Sequence, residues 1–141
     1  LSMPRRTSIL RHGVIVWGKF MNAGQTCIAV DYVVVQESVK DALLAAMTKE
    51  IGKRYPHAEK SDAYPSIINQ RHYDRLIGLM KTESSLIGGA VNAEKRRIAP
   101  TLMPEADFDH PIMEDEIFGP LLPIIGCKRH AKRRSAHQNA A

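Results

Sequence analysis

Cysteine is scarce in this sequence: Cys27 and Cys127 are the two in 141 residues. Two thiols are too few for a disulfide framework, and they suit a reducing compartment. Long apolar runs are also missing. No stretch approaches the roughly 20 residues a membrane-spanning helix needs. The opening thirteen residues carry arginines but no apolar core with a small-residue cleavage site, so no secretory leader is expected. There is no internal repeat and no glycine-rich phosphate fingerprint, since Gly88-Gly89 stands without the required spacing. Cys127, His130 and His137 are metal-like in type, yet no second close pair completes a zinc site. Acidic residues are absent from both ends. What is left is the composition of one globular domain, 44% hydrophobic and 25% charged. A cytoplasmic protein with no membrane partner is the expectation.

The net charge of +5 divides unevenly. Residues 1–13 hold three arginines and residues 128–141 hold five basic side chains, with no acid in either segment. Residues 14–127 set 12 basic against 15 acidic side chains. A nucleic-acid groove would spread its Lys and Arg through the fold, so no specific nucleic-acid partner is expected. The basic end could at most bind polyanions weakly and in a salt-dependent way.

Periodicity gives an α/β order. Val14, Trp17 and Met21 can form the apolar face of a helix, while Val14-Ile15-Val16 also suits a short strand. Tyr32 to Val35 reads as a strand buried on both faces. Ser38 is a candidate helix cap, with Val39, Leu43, Met47 and Ile51 along the helix and Pro56 ending it. Residues 56–66 read as loop. Asn69 is a second candidate cap, with Ile68 and Tyr73 as a hydrophobic staple and Tyr73, Leu76, Ile77 and Met80 as the buried stripe. Ile98 to Met103 is extended around Pro100, residues 105–115 form an acidic loop, and the apolar run 117–125 is broken by two prolines. This order predicts an α/β layer architecture with a largely buried sheet.

Cys27 is the sharpest candidate for chemistry. Gly24 before it allows a tight turn and the close approach of a ligand, and a cysteine at the mouth of a sheet can be exposed and activated. Spacing alone leaves open the alternative that it is a small buried hydrophobe, as most free cysteines are. Glu114, Asp115 and Glu116 read either as a solvated acidic turn or as carboxylates pinned beside Phe118 at a pocket edge.

The run Trp17-Gly18-Lys19-Phe20-Met21-Asn22-Ala23-Gly24-Gln25-Thr26-Cys27 resembles the nucleophile segment of the aldehyde dehydrogenase superfamily. Three later stretches agree, in the right order. Ser66-Ile67-Ile68-Asn69 with Arg71-His72 resembles a helix start of the class 3-like branch, which handles fatty, aromatic (including coniferyl) and other apolar aldehydes. Ile98 to Leu102 resembles the following strand, and Glu116-Ile117-Phe118-Gly119-Pro120 resembles the Glu-Ile-Phe-Gly-Pro motif. The resemblance covers about residues 14–125. It implies a partial catalytic domain, three-layered with a mostly parallel sheet, and a helix before the cysteine. Cys27 matches the catalytic thiol, Glu116 the carboxylate on the nicotinamide-side ribose, and Phe118 the ring lining the nicotinamide position. Asp115 departs from the usual glutamate. NAD or NADP, an aldehyde substrate and, for the full-length enzyme, a homodimer are implied as well.

The resemblance also places the dinucleotide domain, the general-base glutamate and an oxyanion-hole asparagine before the cysteine segment, and residues 1–13 offer no counterpart. The chain is therefore expected to be a fragment that does not turn over aldehydes by itself. Segments 1–13 and 126–141 are expected to be divergent or out of frame, the latter a disordered basic tail. An incomplete parallel sheet should expose edges and apolar faces.

Overall fold

The computed structural model describes residues 5–128, with side chains from Arg11 onward. Most of the basic tail therefore lies outside the described residues. The first helix, α1 (Arg5–Phe20), crosses the expected boundary at residue 13 and runs into a 3-10 turn at Met21–Gly24. The helical reading of residues 14–21 thus holds over the strand, but its apolar face does not. Val14 and Trp17 are 66% and 51% exposed, whereas Val16, Lys19, Phe20 and Ala23 are completely buried. The helix is apolar on two sides, and the side carrying Val16 and Phe20 is the one that meets the sheet.

Strand β1 (Val33–Gln36) leads directly into α2 (Glu37–Arg54). It is not buried on both faces: its residues alternate half-buried and exposed, with Val33 and Val35 packed against the α1–α2 side and Val34 left 47% exposed on the other. Gln36 occupies the cap position of α2, and Ser38 lies inside the helix. The buried contacts of α2 are Leu44 and Met47, with Val39 exposed. Tyr55 closes the helix ahead of Pro56, as expected.

Helix α3 (Gln70–Met80) is capped by Asn69, whose Oδ1 accepts the His72 N–H at 2.9 Å. Tyr73, Leu76 and Met80 are its buried stripe. The staple does not form, since Ile68 is 71% exposed and is held instead through its backbone. The Ile98–Met103 stretch divides at Pro100. β2 (Val91–Asn92) and β3 (Arg97–Ile98) pair as an antiparallel hairpin, and β4 (Thr101–Met103) joins the main sheet.

That sheet has the order β1-β5-β4, with β5 (Leu121–Cys127) parallel to both neighbours. Pro120 does break the 117–125 run, with residues 117–120 a loop and β5 starting at Leu121, whereas Pro123 lies inside the strand. β4 pairs with residues 121–123 and β1 with residues 124–127, so Pro123 sits where β5 changes partners. A missing N–H costs least at such a place. Alternate side chains pack to opposite sides. Leu102, Leu122 and Ile124 meet α1 and α2, while Met103 and Leu121 meet α3. Helices on both faces of a parallel sheet make the three-layer α/β arrangement.

Candidate active site

Parallel pairing puts the amino ends of β1 and β5 on one edge, and the residues leading into them meet there. Cys27 lies in the loop before β1, and Glu116, Ile117, Phe118 and Gly119 lie in the loop before β5. Cys27 is exposed, so its reading as a small buried hydrophobe fails. The Thr26 carbonyl accepts the Ala29 N–H at 3.2 Å, which places the cysteine within a tight turn.

Gly24 does what its type allows, with φ at 69°, but the group that approaches it is protein backbone. A Cβ at Gly24 would lie 2.3 Å from the Gly119 carbonyl oxygen. Gly119 in turn sits on α3, where a Cβ would come 2.4 Å from Leu76 Cδ2. The two glycines let the cysteine loop, the Glu116–Phe118 loop and α3 stack without side chains between them.

Side-chain to backbone hydrogen bonds then fasten the three segments. Gln25 Oε1 accepts the Ile68 N–H at 2.9 Å, and Gln25 Nε2 donates to the Ser66 carbonyl at 3.1 Å. Asp31 Oδ1 accepts the Ile117 N–H at 3.2 Å. Arg75 Nη2, from α3, donates to the Ile117 carbonyl at 2.7 Å. Ile117 is thereby gripped at both its donor and its acceptor, with its side chain in the core. The next residue, Phe118, is 36% exposed and holds φ at 48°, a left-handed conformation that an aromatic residue rarely adopts. Such strain persists where neighbours over-determine it. Glu116 is exposed beside it. Cys27, Glu116 and Phe118 thus lie on the loops that lead into the neighbouring parallel strands β1 and β5.

Sequence reasoning assigned no role to Lys19, Gln25, Asp31 or Arg75. Lys19 is fully buried, and burial lowers its amine to about 8 against the opposing pull of Asp31 and Glu116. A charge on the buried side of an apolar helix was the available signal, and it was hidden by choosing the other face of α1. Among the described residues no cluster of three or more His, Cys, Asp or Glu could hold a metal ion, and no helix is long and apolar enough to cross a membrane.

A sequence model of the aldehyde dehydrogenase family matches residues 12–136. The chain belongs to that family. Similar aldehyde dehydrogenases include the dimeric NADP-preferring enzyme of Bos taurus, 42% identical over 112 residues that make up 79% of this chain and 47% of that one. The 4,4'-diaponeurosporen-aldehyde dehydrogenase of Staphylococcus aureus is 45% identical over 114 residues, 79% of this chain and 25% of that one. Among solved structures, a substrate-bound Staphylococcus aureus AldH superimposes with a TM-score of 0.79 at 40% identity, covering 84% of this chain and 26% of that one. A Bacillus halodurans NADP-dependent glyceraldehyde-3-phosphate dehydrogenase complexed with NADP gives 0.74 at 29% identity, covering 86% and 26%. The chain thus spans between a quarter and a half of these relatives' lengths. The α/β fold with its parallel sheet is that of an aldehyde dehydrogenase, in part.

Proposed function

We propose that residues 14–125 form the cysteine side of an active site that oxidises an aldehyde to a carboxylic acid with NAD or NADP, with segments 1–13 and 126–141 outside it. The observation that carries this reading is the Gly24–Gly119 contact, which sets the Cys27 loop directly against the Glu116–Phe118 loop. Cys27 is the nucleophile. Its thiolate adds to the aldehyde carbon, forming a C–S bond and moving the carbonyl electron pair onto oxygen. The Cys27 backbone N–H, at the turn, is positioned as a donor for that oxyanion. A nicotinamide dinucleotide held at Glu116 and Phe118 would supply the hydride acceptor for oxidation of this adduct to a thioester. Water then adds to the thioester carbon, the C–S bond breaks, and the acid leaves with the thiol restored.

The residues present fit that cofactor. Glu116 is an exposed carboxylate able to accept hydrogen bonds from two ribose hydroxyls, and Phe118 offers a half-exposed ring beside it. For the substrate, Ile28 directly after Cys27 is 84% exposed, which favours the apolar aldehydes of the class 3-like branch. The name of the bovine relative, dimeric and NADP-preferring, supports extending the proposal to a homodimer using NADP, and the scarcity of cysteine suits the reducing cytoplasm.

Thiol labelling tests the assignment. Iodoacetamide should modify Cys27 ahead of the half-buried Cys127, and preincubation with an apolar aldehyde should slow labelling at Cys27 alone. Equal protection of both thiols would sink the proposal. The 141 residues by themselves should form no NADPH from aldehyde, because the general base of the resemblance has no counterpart in them. Turnover by the purified chain that Cys27→Ala abolishes would refute this last point.

A further inference from the structure

Ile117 sits between the two residues read as meeting the nucleotide, and charged side chains hold both peptide groups that flank it. Asp31 Oδ1, from the stretch joining the Cys27 turn to β1, accepts the Ile117 N–H at 3.2 Å, which holds the Glu116–Ile117 peptide. Arg75 Nη2, from α3, donates to the Ile117 carbonyl at 2.7 Å, which holds the Ile117–Phe118 peptide. A peptide group is planar, so each bond orients a whole unit, and hydrogen bonds to charged side chains are the stronger kind. Ile117 itself is 1% exposed, an apolar anchor between the two bonds. It lies outside every strand, so no ladder accounts for this order.

Beyond Phe118 the chain is fixed again. A Cβ on Gly119 would lie 2.4 Å from Leu76 Cδ2, and one on Gly24 would lie 2.3 Å from the Gly119 carbonyl oxygen. Arg75 and Leu76 are consecutive in α3, so a single turn of that helix sets both the Ile117 carbonyl and Gly119. Phe118 must join these two fixtures in one residue, and it does so with φ at 48°. Glycine takes that conformation without steric cost, whereas an aromatic residue is strained in it. Stability of the loop alone would favour the glycine. A strained, part-exposed ring beside an exposed carboxylate makes sense if the direction of both side chains matters to something they bind.

We propose that Asp31 and Arg75 are positioning residues for the nucleotide contacts. By fixing the peptide groups on either side of Ile117 they hold Phe118 in its left-handed conformation, and so set the directions in which the Glu116 carboxylate and the Phe118 ring leave the loop. The proposal rests on the reading of those two residues as the cofactor-binding pair. It gives Asp31 and Arg75 no contact with substrate or cofactor.

The test uses the full 141-residue chain and nuclear magnetic resonance. In the wild type, Phe118 should show the strong intraresidue contact between amide and α protons that a positive φ produces. The Ile117 amide should exchange with solvent as slowly as the paired amides of β5. Asp31→Ala and Arg75→Met should each weaken the Phe118 contact and speed Ile117 exchange. Asp31→Asn should restore both, because an amide oxygen accepts the same N–H. Leu44→Ala removes a buried side chain on the α1–α2 side of the sheet, and should lower the melting temperature while leaving both signals as they are. A Phe118 contact that survives both Asp31→Ala and Arg75→Met overturns the positioning role, and so does its equal loss in Leu44→Ala. Should the clasp variants fail to fold, the wild type decides: slow exchange at Ile117 upholds the clasp, and exchange as fast as that of exposed Glu116 overturns it.

Saturation-transfer signals from millimolar NADP supply the second arm. Asp31→Ala and Arg75→Met should each weaken binding about tenfold, and Asp31→Asn should bind as the wild type does. Undiminished binding by Asp31→Ala and Arg75→Met, alongside weak binding by Glu116→Ala, overturns the proposal. No signal in the wild type, or an undiminished one in Glu116→Ala, overturns the nucleotide reading instead. The Phe118 signature separates the two failures, since it needs no nucleotide.

Discussion

At Gly24 a single hydrogen in place of a methyl decides whether two loops can touch. Gly24→Ala would combine an unfavourable φ of 69° with a Cβ 2.3 Å from the Gly119 carbonyl oxygen. We expect it to destabilise the chain by about 3 kcal/mol in urea unfolding. Gly52→Ala is the contrasting case, with nothing within 4 Å inside α2, and should stabilise by about 0.5–1 kcal/mol. Equal midpoints for the two variants would refute this account of the junction. The need for a glycine before Cys27 was legible in the sequence, because it depends on local geometry. What the glycine accommodates was not, because Gly119 lies 95 positions away in the chain. The same holds for Gln25, Asp31 and Arg75, whose partners are backbone atoms 41 to 86 residues distant.

Among the elements, α3 was the most readable and α1 the least. The stripe of α3 is single-sided, and its Asn69 cap acts on the adjacent turn, so both are written in consecutive residues. Asn69→Ala should cost about 1 kcal/mol. Through Arg75 it should also raise the amide exchange of Ile117 and Phe118, an effect absent from the distant β2–β3 hairpin. Uniform acceleration across the chain would instead mean global destabilisation, with no specific link from α3 to the site. For α1 the periodicity offered two apolar faces, and only the sheet chooses between them. β1 differs for a related reason: Val33, Val34 and Val35 look like a strand covered on both faces, and what packs on each face is a property of the whole molecule.

For the molecule as a whole, the buried amine and the buried phenols oppose each other as pH rises. Lys19 falls from 10.5 to about 8 on folding. Between those values the unfolded chain retains a proton that the folded chain has lost, so stability increases with pH. Below pH 8 the penalty is present in full, about 3 kcal/mol. Tyr64 is pushed upward by burial, and Tyr55 and Tyr73 are raised for the same reason. Above about pH 10 the unfolded chain ionises its tyrosines first, and stability declines. The urea midpoint should therefore stay level up to about pH 8, climb to a maximum near pH 10 and then drop. Lys19→Met should remove the climb and keep the drop. A wild-type profile flat across that interval would contradict the burial of the amine.

The fastenings at the site share one property with consequences for how its sequence can vary. Gln25 grips the N–H of Ile68 and the carbonyl of Ser66, and Asp31 and Arg75 grip the N–H and carbonyl of Ile117. Each clasp reads a peptide group and ignores the side chain attached to it. The gripping residues are thus chemically restricted, while Ser66 and Ile68 are free to drift as far as these bonds are concerned. Tolerance at this edge should follow the direction of each bond: strict at the side-chain end and permissive at the main-chain end.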